Sequence, residues 1–134
     1  MKKKIILIAM LAFFAGSQMF VQSSQSNTQV KNNATHVSVY YFHFNARCAT
    51  CRAVESVTKN GIKELFGDKV AFAAYNLDEK SGELRGKELD ISGQTLLIVK
   101  GDKIINLTNE GFMYARTNPE KFKQILNANI QPLL

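Results

Sequence analysis

The pattern of hydrophobic positions along the chain predicts four strands. Residues 37–44 are nearly all β-branched or aromatic, and an unbroken run of this length is typical of a strand buried on both faces of a sheet. Residues 70–77 and 95–99 form two further apolar runs of strand length. Residues 104–107 follow the third run after a turn that contains Gly101, which predicts a hairpin.

Helical spacing follows the first run. From Cys48 onward the hydrophobic residues recur close to the i, i+3, i+4 pattern of an amphipathic helix, and Gly67 with Asp68 predicts where that helix ends. Gly61 could kink or split the helix. The residues expected to face inward are Val54, Val57, Ile62, Leu65 and Phe66.

Weaker helical patterns occupy the rest of the chain. Residues 78–82 predict a polar turn and residues 83–89 a short helix, whereas residues 110–116 predict a loop with a single helical turn. Asn118 before Pro119 is a typical helix start. We expect this last helix to continue to about residue 129, with three residues turned inward: Phe122, Ile125 and Leu126.

The order of these elements predicts the fold class. Strand, helix, strand, helix, hairpin and helix indicate an α/β protein, in which a right-handed crossover makes the first two strands parallel and the hairpin adds antiparallel strands. We therefore expect a central four-stranded mixed sheet flanked by helices on both faces. A chain of 134 residues, 46% of them hydrophobic, has room for one such domain and hardly for two.

The N-terminal end has the pattern of an export signal. Lysines at residues 2–4 precede an apolar stretch at residues 5–14, which is too short to span a bilayer comfortably. Small residues follow this stretch, so cleavage is expected after Ser17 or near Ser23. We favour the second position, which gives a signal peptide of residues 1–23.

A signal of this bacterial type predicts a periplasmic or secreted protein with no stable membrane insertion after cleavage. The alternative is an inner-membrane anchor formed by an uncleaved segment at residues 5–21, although Gly, Ser and Gln at residues 16–18 weaken that span. Residues 24–35 are rich in Ser, Asn and Gln, which is typical of a disordered lead-in. The folded domain is therefore expected at residues 36–134.

The charge pattern argues against one class of partner. The formal net charge is +6, and three of the 17 basic residues lie in the predicted signal peptide. The other basic residues are scattered, without a dense run or interleaved aromatic residues. Nucleic-acid binding is therefore not expected.

The two cysteines, Cys48 and Cys51, stand where the first strand gives way to the first helix. A Cys-x-x-Cys pair at a helix start has both sulfurs on one face, and the first sulfur faces the unpaired N–H groups and the positive end of the helix dipole. This environment stabilises a thiolate, and the flanking Arg47 and Arg52 add positive charge. We predict that Cys48 is the attacking sulfur, with a pKa below its ordinary value, and that Cys51 is the resolving sulfur.

Two other roles for the pair stay open. A Cys48–Cys51 bridge could be a static disulfide in an oxidising compartment, although closing so short a loop stabilises the fold little. A zinc site needs four ligands, and His36 and His43 are the only imidazoles, so we expect no metal and no other cofactor. His43 lies five positions before Cys48 and could tune the sulfurs or simply pack at the strand end.

This order of elements, with Cys-x-x-Cys at the first strand–helix junction, resembles the thioredoxin fold over roughly residues 37–130. Residues 90–101 are similar to the family's segment that leads into the third strand through a loop facing the active site, and residues 75–78 to the end of its second strand. Within the fold, the chain resembles most a group of small exported bacterial proteins, some labelled as subunits of a nitrophenyl-compound nitroreductase.

The resemblance implies that Gln94 and Thr95 face the cysteine pair, but several positions depart from the family pattern. Gln94 occupies the usual cis-proline position, and we expect a trans peptide there because a cis bond before another residue costs about 2.5 to 4 kcal/mol. Phe42 and Ala74 replace the carboxylate and the lysine that relay a proton to the resolving thiol in thioredoxin. Arg47 replaces the tryptophan that normally precedes the first cysteine.

Together these features predict an exported thiol–disulfide oxidoreductase that acts on protein thiols or disulfides through its Cys-Ala-Thr-Cys pair. Two alternatives remain open. One is a redox or docking subunit that serves a single dedicated partner, and the other is a thioredoxin-like binding module with an inert disulfide.

Overall fold

The computed structural model describes residues 35–134, so the predicted signal peptide and most of the predicted lead-in lie outside the described residues. Within this range the chain forms one mixed sheet of four strands. The strands are β1 (Val37–His43), β2 (Val70–Asn76), β3 (Thr95–Lys100) and β4 (Lys103–Asn106).

The sheet has the strand order β2-β1-β3-β4. β1 is parallel to β2, with Val37 opposite Val70, and antiparallel to β3, with Tyr41 opposite Leu96. β3 and β4 form an antiparallel hairpin. The predicted α/β class and the four-stranded mixed sheet are therefore confirmed.

Helices cover both faces of the sheet. β1 lies in the middle, and its side chains alternate between two buried clusters: Val39 and Tyr41 pack with α1, α3 and α4, whereas Tyr40 and Phe42 pack on the side of α2. This alternation explains why a central strand reads as a continuous apolar run. The helices of the described residues are α1 (Ala49–Phe66), α2 (Lys80–Glu88), α3 (Thr108–Tyr114) and α4 (Pro119–Ile130), with short 3₁₀ turns at Gly67–Lys69 and Gln131–Leu133.

The long helix α1 confirms most of the predicted inward face and corrects one residue of it. It is continuous through Gly61, which is buried. A Cβ atom added at this position would lie 3.3 Å from Lys123 Cγ on α4. Val54, Ile62 and Phe66 are buried. Leu65, predicted to face inward, is 40% exposed, because the neighbouring Phe66 occupies the inward position at the end of the helix.

Two other predictions of local structure were wrong. The predicted loop at residues 110–116 is largely the helix α3, whose first N–H, that of Thr108, is held by the Asn106 side chain at 2.9 Å. Helix α2 begins at Lys80, earlier than predicted. Gly82 suggested a turn, but in the structure it lets α2 approach the carbonyl of Asn76 at the end of β2.

The last residues pack back onto the domain. Leu133 is buried, and the ammonium group of Lys100 on β3 donates a hydrogen bond to the Leu133 carbonyl. Across residues 35–134, none of the helices combines the length and the apolar character that crossing a membrane requires.

Candidate redox site

Strand β1 delivers the cysteine pair to the start of α1. The chain leaves the sheet at His43 and reaches Cys48, which is the N-cap residue of α1 with an extended backbone (φ −76°, ψ 169°). The Cys48 Sγ accepts a hydrogen bond from the Cys51 N–H at 3.2 Å. The sulfur therefore takes the place of the side-chain oxygen that usually caps a helix, beside N–H groups that have no partner within the helix.

The two cysteines differ in their access to solvent. Cys48 and Cys51 form a disulfide with a Cα–Cα distance of 5.2 Å. Cys48 is exposed, whereas Cys51 is only 3% exposed. Cys48 is therefore the cysteine that an external thiolate can reach, whereas the protein shields Cys51.

Tyr41 connects the central strand to this helix start. Its hydroxyl donates a hydrogen bond to the Cys51 carbonyl at 3.1 Å, and its side chain is fully buried. Burial raises the pKa of Tyr41 above 10.0, and the nearby Arg47 guanidinium offsets this only in part. The hydroxyl consequently stays protonated and acts as a donor over the neutral pH range.

The two arginines beside the pair differ in how their charges are compensated. Arg47 forms an ion pair with Glu55 of α1, and its guanidinium carbon lies 5.9 Å from the centre of the Tyr41 ring. Arg52 donates to the carbonyl of Arg47 at 2.7 Å. Glu55 thus neutralises much of the positive charge that Arg47 was expected to provide to the cysteines, whereas Arg52 has no acidic partner among the described residues.

The remaining predicted site residues lie at the ends of the neighbouring strands. His43 ends β1, with Nδ1 at 3.1 Å from the Phe44 carbonyl oxygen. Gln94 precedes β3 with a trans peptide bond, as predicted, and the hydroxyl of the buried Thr95 donates to the Gly93 carbonyl at 3.0 Å. Among the described residues, no hydrogen bond joins these three side chains to either cysteine, and their roles in exchange stay predictions.

The described residues offer no candidate metal-binding site. Residues 35–134 contain no cluster of three or more His, Cys, Asp and Glu side chains that could hold an ion. His36 and His43 flank opposite ends of β1.

Comparison with known proteins bears on the fold. Trxlp from Edwardsiella tarda superimposes with a TM-score of 0.52 at 12% identity, over 71% of this chain and 85% of that one. Thioredoxin O2 from Arabidopsis thaliana in the oxidised state has a TM-score of 0.49 at 20% identity, over 70% and 75% of the two chains. Thioredoxin from Trypanosoma brucei brucei has a TM-score of 0.47 at 22% identity, over 79% and 87%.

The fold is thioredoxin-like. This assignment rests on the sheet topology and on the first of these structures. No family model and no curated protein matches the chain, and the resemblance to nitroreductase subunits gains no support.

The structure shows what replaces the proton-relay residues that the resemblance to thioredoxin implies. At the position where the resemblance implies a buried carboxylate, Phe42 is fully buried in the apolar cluster on the α2 side of the sheet. Ala74 stands opposite Tyr41 on β2. Neither Phe42 nor Ala74 can carry a proton, so the thioredoxin relay to the resolving thiol is not available at these positions.

Sequence reasoning did not single out two residues of the site, Tyr41 and Glu55. Tyr41 belongs to an aromatic run that reads as core, and Glu55 lies on the polar side of α1, where charged residues are common. The signal that could have found Glu55 is its position one turn beyond Cys51, on a helix whose N-terminal end follows Arg47. The contact itself depends on how the loop before Cys48 folds.

Proposed function

We propose that this chain is an exported thiol–disulfide oxidoreductase that exchanges disulfides with protein substrates through Cys48 and Cys51. The observation that carries the proposal is the pairing of an exposed N-cap sulfur with a buried sulfur one helical turn later. Thiol–disulfide exchange needs an accessible sulfur to attack or be attacked and a second thiol close enough to resolve the mixed disulfide. The lysines and apolar stretch at the N-terminal end support export.

The proposed reaction starts with a substrate thiolate that attacks Cys48 Sγ. A substrate–Cys48 disulfide forms, the Cys48–Cys51 bond breaks, and Cys51 Sγ leaves with the electron pair and takes up a proton. A second substrate thiolate then attacks the substrate sulfur of the mixed disulfide, which forms the substrate disulfide and releases Cys48 as a thiolate. Two electrons have passed to the cysteine pair, and the reverse sequence reduces a substrate disulfide.

The helix start favours Cys48 as the sulfur that leaves in the last step. The Cys51 N–H already points at Cys48 Sγ from 3.2 Å, and the positive end of the helix dipole stabilises a negative sulfur at this position. A thiol or disulfide of a second protein resets the pair for the next cycle.

A second candidate is a redox subunit that exchanges electrons with one dedicated partner. The trans peptide before Gln94 favours this alternative, because the resemblance implies a cis-proline there whose backbone edge meets general substrates. Reduction of insulin disulfides by the full chain supports the general oxidoreductase. Redox cycling without insulin turnover supports the dedicated subunit.

The test is to equilibrate the full chain across ratios of reduced to oxidised glutathione and to read the Cys48–Cys51 state by thiol labelling. We expect a transition between the oxidised and reduced states, and a stable mixed disulfide with glutathione in Cys51→Ser. Cys48→Ser should react far more slowly, because it retains only the buried thiol. A pair that never equilibrates with the buffer would identify an inert disulfide and overturn the proposal.

A further inference from the structure

A groove of about 420 Å³ runs along the outer face of α1 from the end that carries Cys48. Its lining is almost entirely polar and charged. The lining residues are Arg47, Arg52, Glu55, Ser56, Lys59 and Asn60.

The groove begins beside the cysteine pair, because Arg47 precedes Cys48 and Arg52 follows Cys51. Within α1, Arg52, Glu55 and Lys59 are spaced by three and four positions, and residues at such spacings share a helix face. With a rise of about 1.5 Å per residue, Arg52 lies about 6 Å and Lys59 about 16 Å along the axis from Cys48. Cys51, in contrast, belongs to the buried stripe with Val54.

The charge in the groove is positive. The carboxylate of Glu55 is paired with Arg47, whereas neither Arg52 nor Lys59 has an acidic partner among residues 35–134. Residues 1–34 contain no Asp or Glu, so that part of the chain cannot supply one. Arg52 and Lys59 are therefore free to pair with carboxylates of another molecule.

We propose that this groove binds an acidic segment beside the reactive cysteine of the partner protein, a proposal that rests on the oxidoreductase function above. An extended chain advances about 3.3 Å per residue, so acidic residues about two and five positions from the partner's cysteine reach Arg52 and Lys59. The groove thereby selects substrates by charge and orients the substrate sulfur toward Cys48. Such steering raises association rates at low ionic strength.

The test uses the full chain with Cys51→Ser, so that Cys48 is its only thiol. The probes are cysteine peptides linked as mixed disulfides to thionitrobenzoate, with Glu or Gln two and five positions from the cysteine, on its N-terminal or its C-terminal side. The Cys48 thiolate attacks the peptide sulfur, the Cys48–peptide bond forms, and coloured thionitrobenzoate leaves with the electron pair. We expect at least one acidic peptide to react about fivefold faster than its Gln counterpart, and the preference to fade at about 0.5 M salt.

Two exposed lysines provide matched variants. Lys59→Glu should abolish the preference, because the new carboxylate repels the more distant acidic residue of the peptide and offsets the attraction of Arg52 for the nearer one. Lys69→Glu makes the same charge change outside the groove and should keep the original preference. Equal rates for acidic and neutral peptides, or an equal effect of the two variants, would overturn the acidic-segment proposal.

An uncharged probe separates the two proposals. Hydroxyethyl disulfide is uncharged and makes no ion pair with the groove, so its reaction with Cys48 measures the exchange chemistry alone. If it reacts while the peptides are not distinguished, only the groove proposal fails. If Cys48 reacts with neither probe, the oxidoreductase function fails as well.

Discussion

The hydroxyl of Tyr41 donates a hydrogen bond to the main-chain carbonyl of Cys51 across 3.1 Å. This bond joins the central strand of the sheet to the first turn of the helix that carries both cysteines. The oxygen and its acceptor are buried, so the bond fixes the helix start without blocking access to Cys48.

Tyr41→Phe should lower the free energy of unfolding by about 0.5 to 1.5 kcal/mol, because it removes one buried hydrogen bond and little apolar contact. Urea unfolding of the oxidised protein measures the loss. Tyr114→Phe is the matched control, since it removes a hydroxyl that accepts an exposed hydrogen bond from Lys121. Equal destabilisation by the two variants would contradict the structural role of Tyr41.

The contribution of Tyr41 to stability should also depend on alkaline pH. Burial raises the pKa of Tyr41 in the native state above 10.0, with partial offset by Arg47, whereas the pKa of an unfolded tyrosine is about 10. The stability it contributes is therefore full below about pH 10 and is lost as the pH rises through the native pKa. The gap in unfolding free energy between wild type and Tyr41→Phe should shrink above about pH 10, and a constant gap would argue against this assignment.

Glu55→Gln and Arg47→Gln should move the pKa of the reduced Cys48 thiol in opposite directions. Without the Glu55 carboxylate the Arg47 charge is uncompensated and lowers the thiol pKa, whereas without Arg47 the carboxylate raises it. We expect changes of about half a pKa unit, measured from the ultraviolet absorbance of the thiolate. Glu64→Gln is the control, because Glu64 pairs with Lys123 far from the sulfurs. Shifts of the same sign in both test variants would exclude this coupling.

A plot of the reduction potential of the pair against pH should change slope at a pH below about 8.5, the ordinary pKa of a thiol. Reduction takes up two protons while both thiols are protonated, which corresponds to about 59 mV per pH unit. Once Cys48 ionises, reduction takes up one proton and the slope falls to about 30 mV per pH unit. Equilibration with thiol buffers across pH gives the potential, and a slope that stays constant to about pH 8.5 means that the helix start does not lower the pKa of Cys48.

Gly82→Ala should destabilise the domain by about 3 kcal/mol or more. A Cβ atom at Gly82 would lie 1.9 Å from the Asn76 carbonyl oxygen, so helix α2 would have to move away from β2. Gly93→Ala is the control, because a Cβ there meets nothing within 4 Å and the backbone has no positive φ. Denaturant unfolding compares the two, and a nearly neutral Gly82→Ala would rule out the close approach.

The parts of the fold that the sequence could predict depend on local patterns. The strand at Val37–His43 is a dense apolar run, and Cys48 sits where the period changes from strand to helix. Asn118 before Pro119 marked the start of the last helix, and its side chain accepts the Lys121 N–H at 3.1 Å. Each of these signals lies within a few residues of the feature it predicts.

The parts that were missed depend on contacts between distant segments. Helix α3 has only seven residues, too few for a hydrophobic period, and Gly111 in it packs against Val54 of α1. The Arg47–Glu55 pair and the bond from Tyr41 to the Cys51 carbonyl form only after the loop, the helix and the sheet have come together. The pattern of residue types along the sequence does not indicate such contacts between distant segments.

The burial of Leu133 has a practical consequence for anyone who alters the end of the chain. Removing residues 133–134 would open a hole in the apolar interior and deprive the Lys100 ammonium group of its carbonyl acceptor. Truncation at this end should therefore loosen the hairpin edge of the sheet, and a purification tag placed here should follow Leu134 through a spacer.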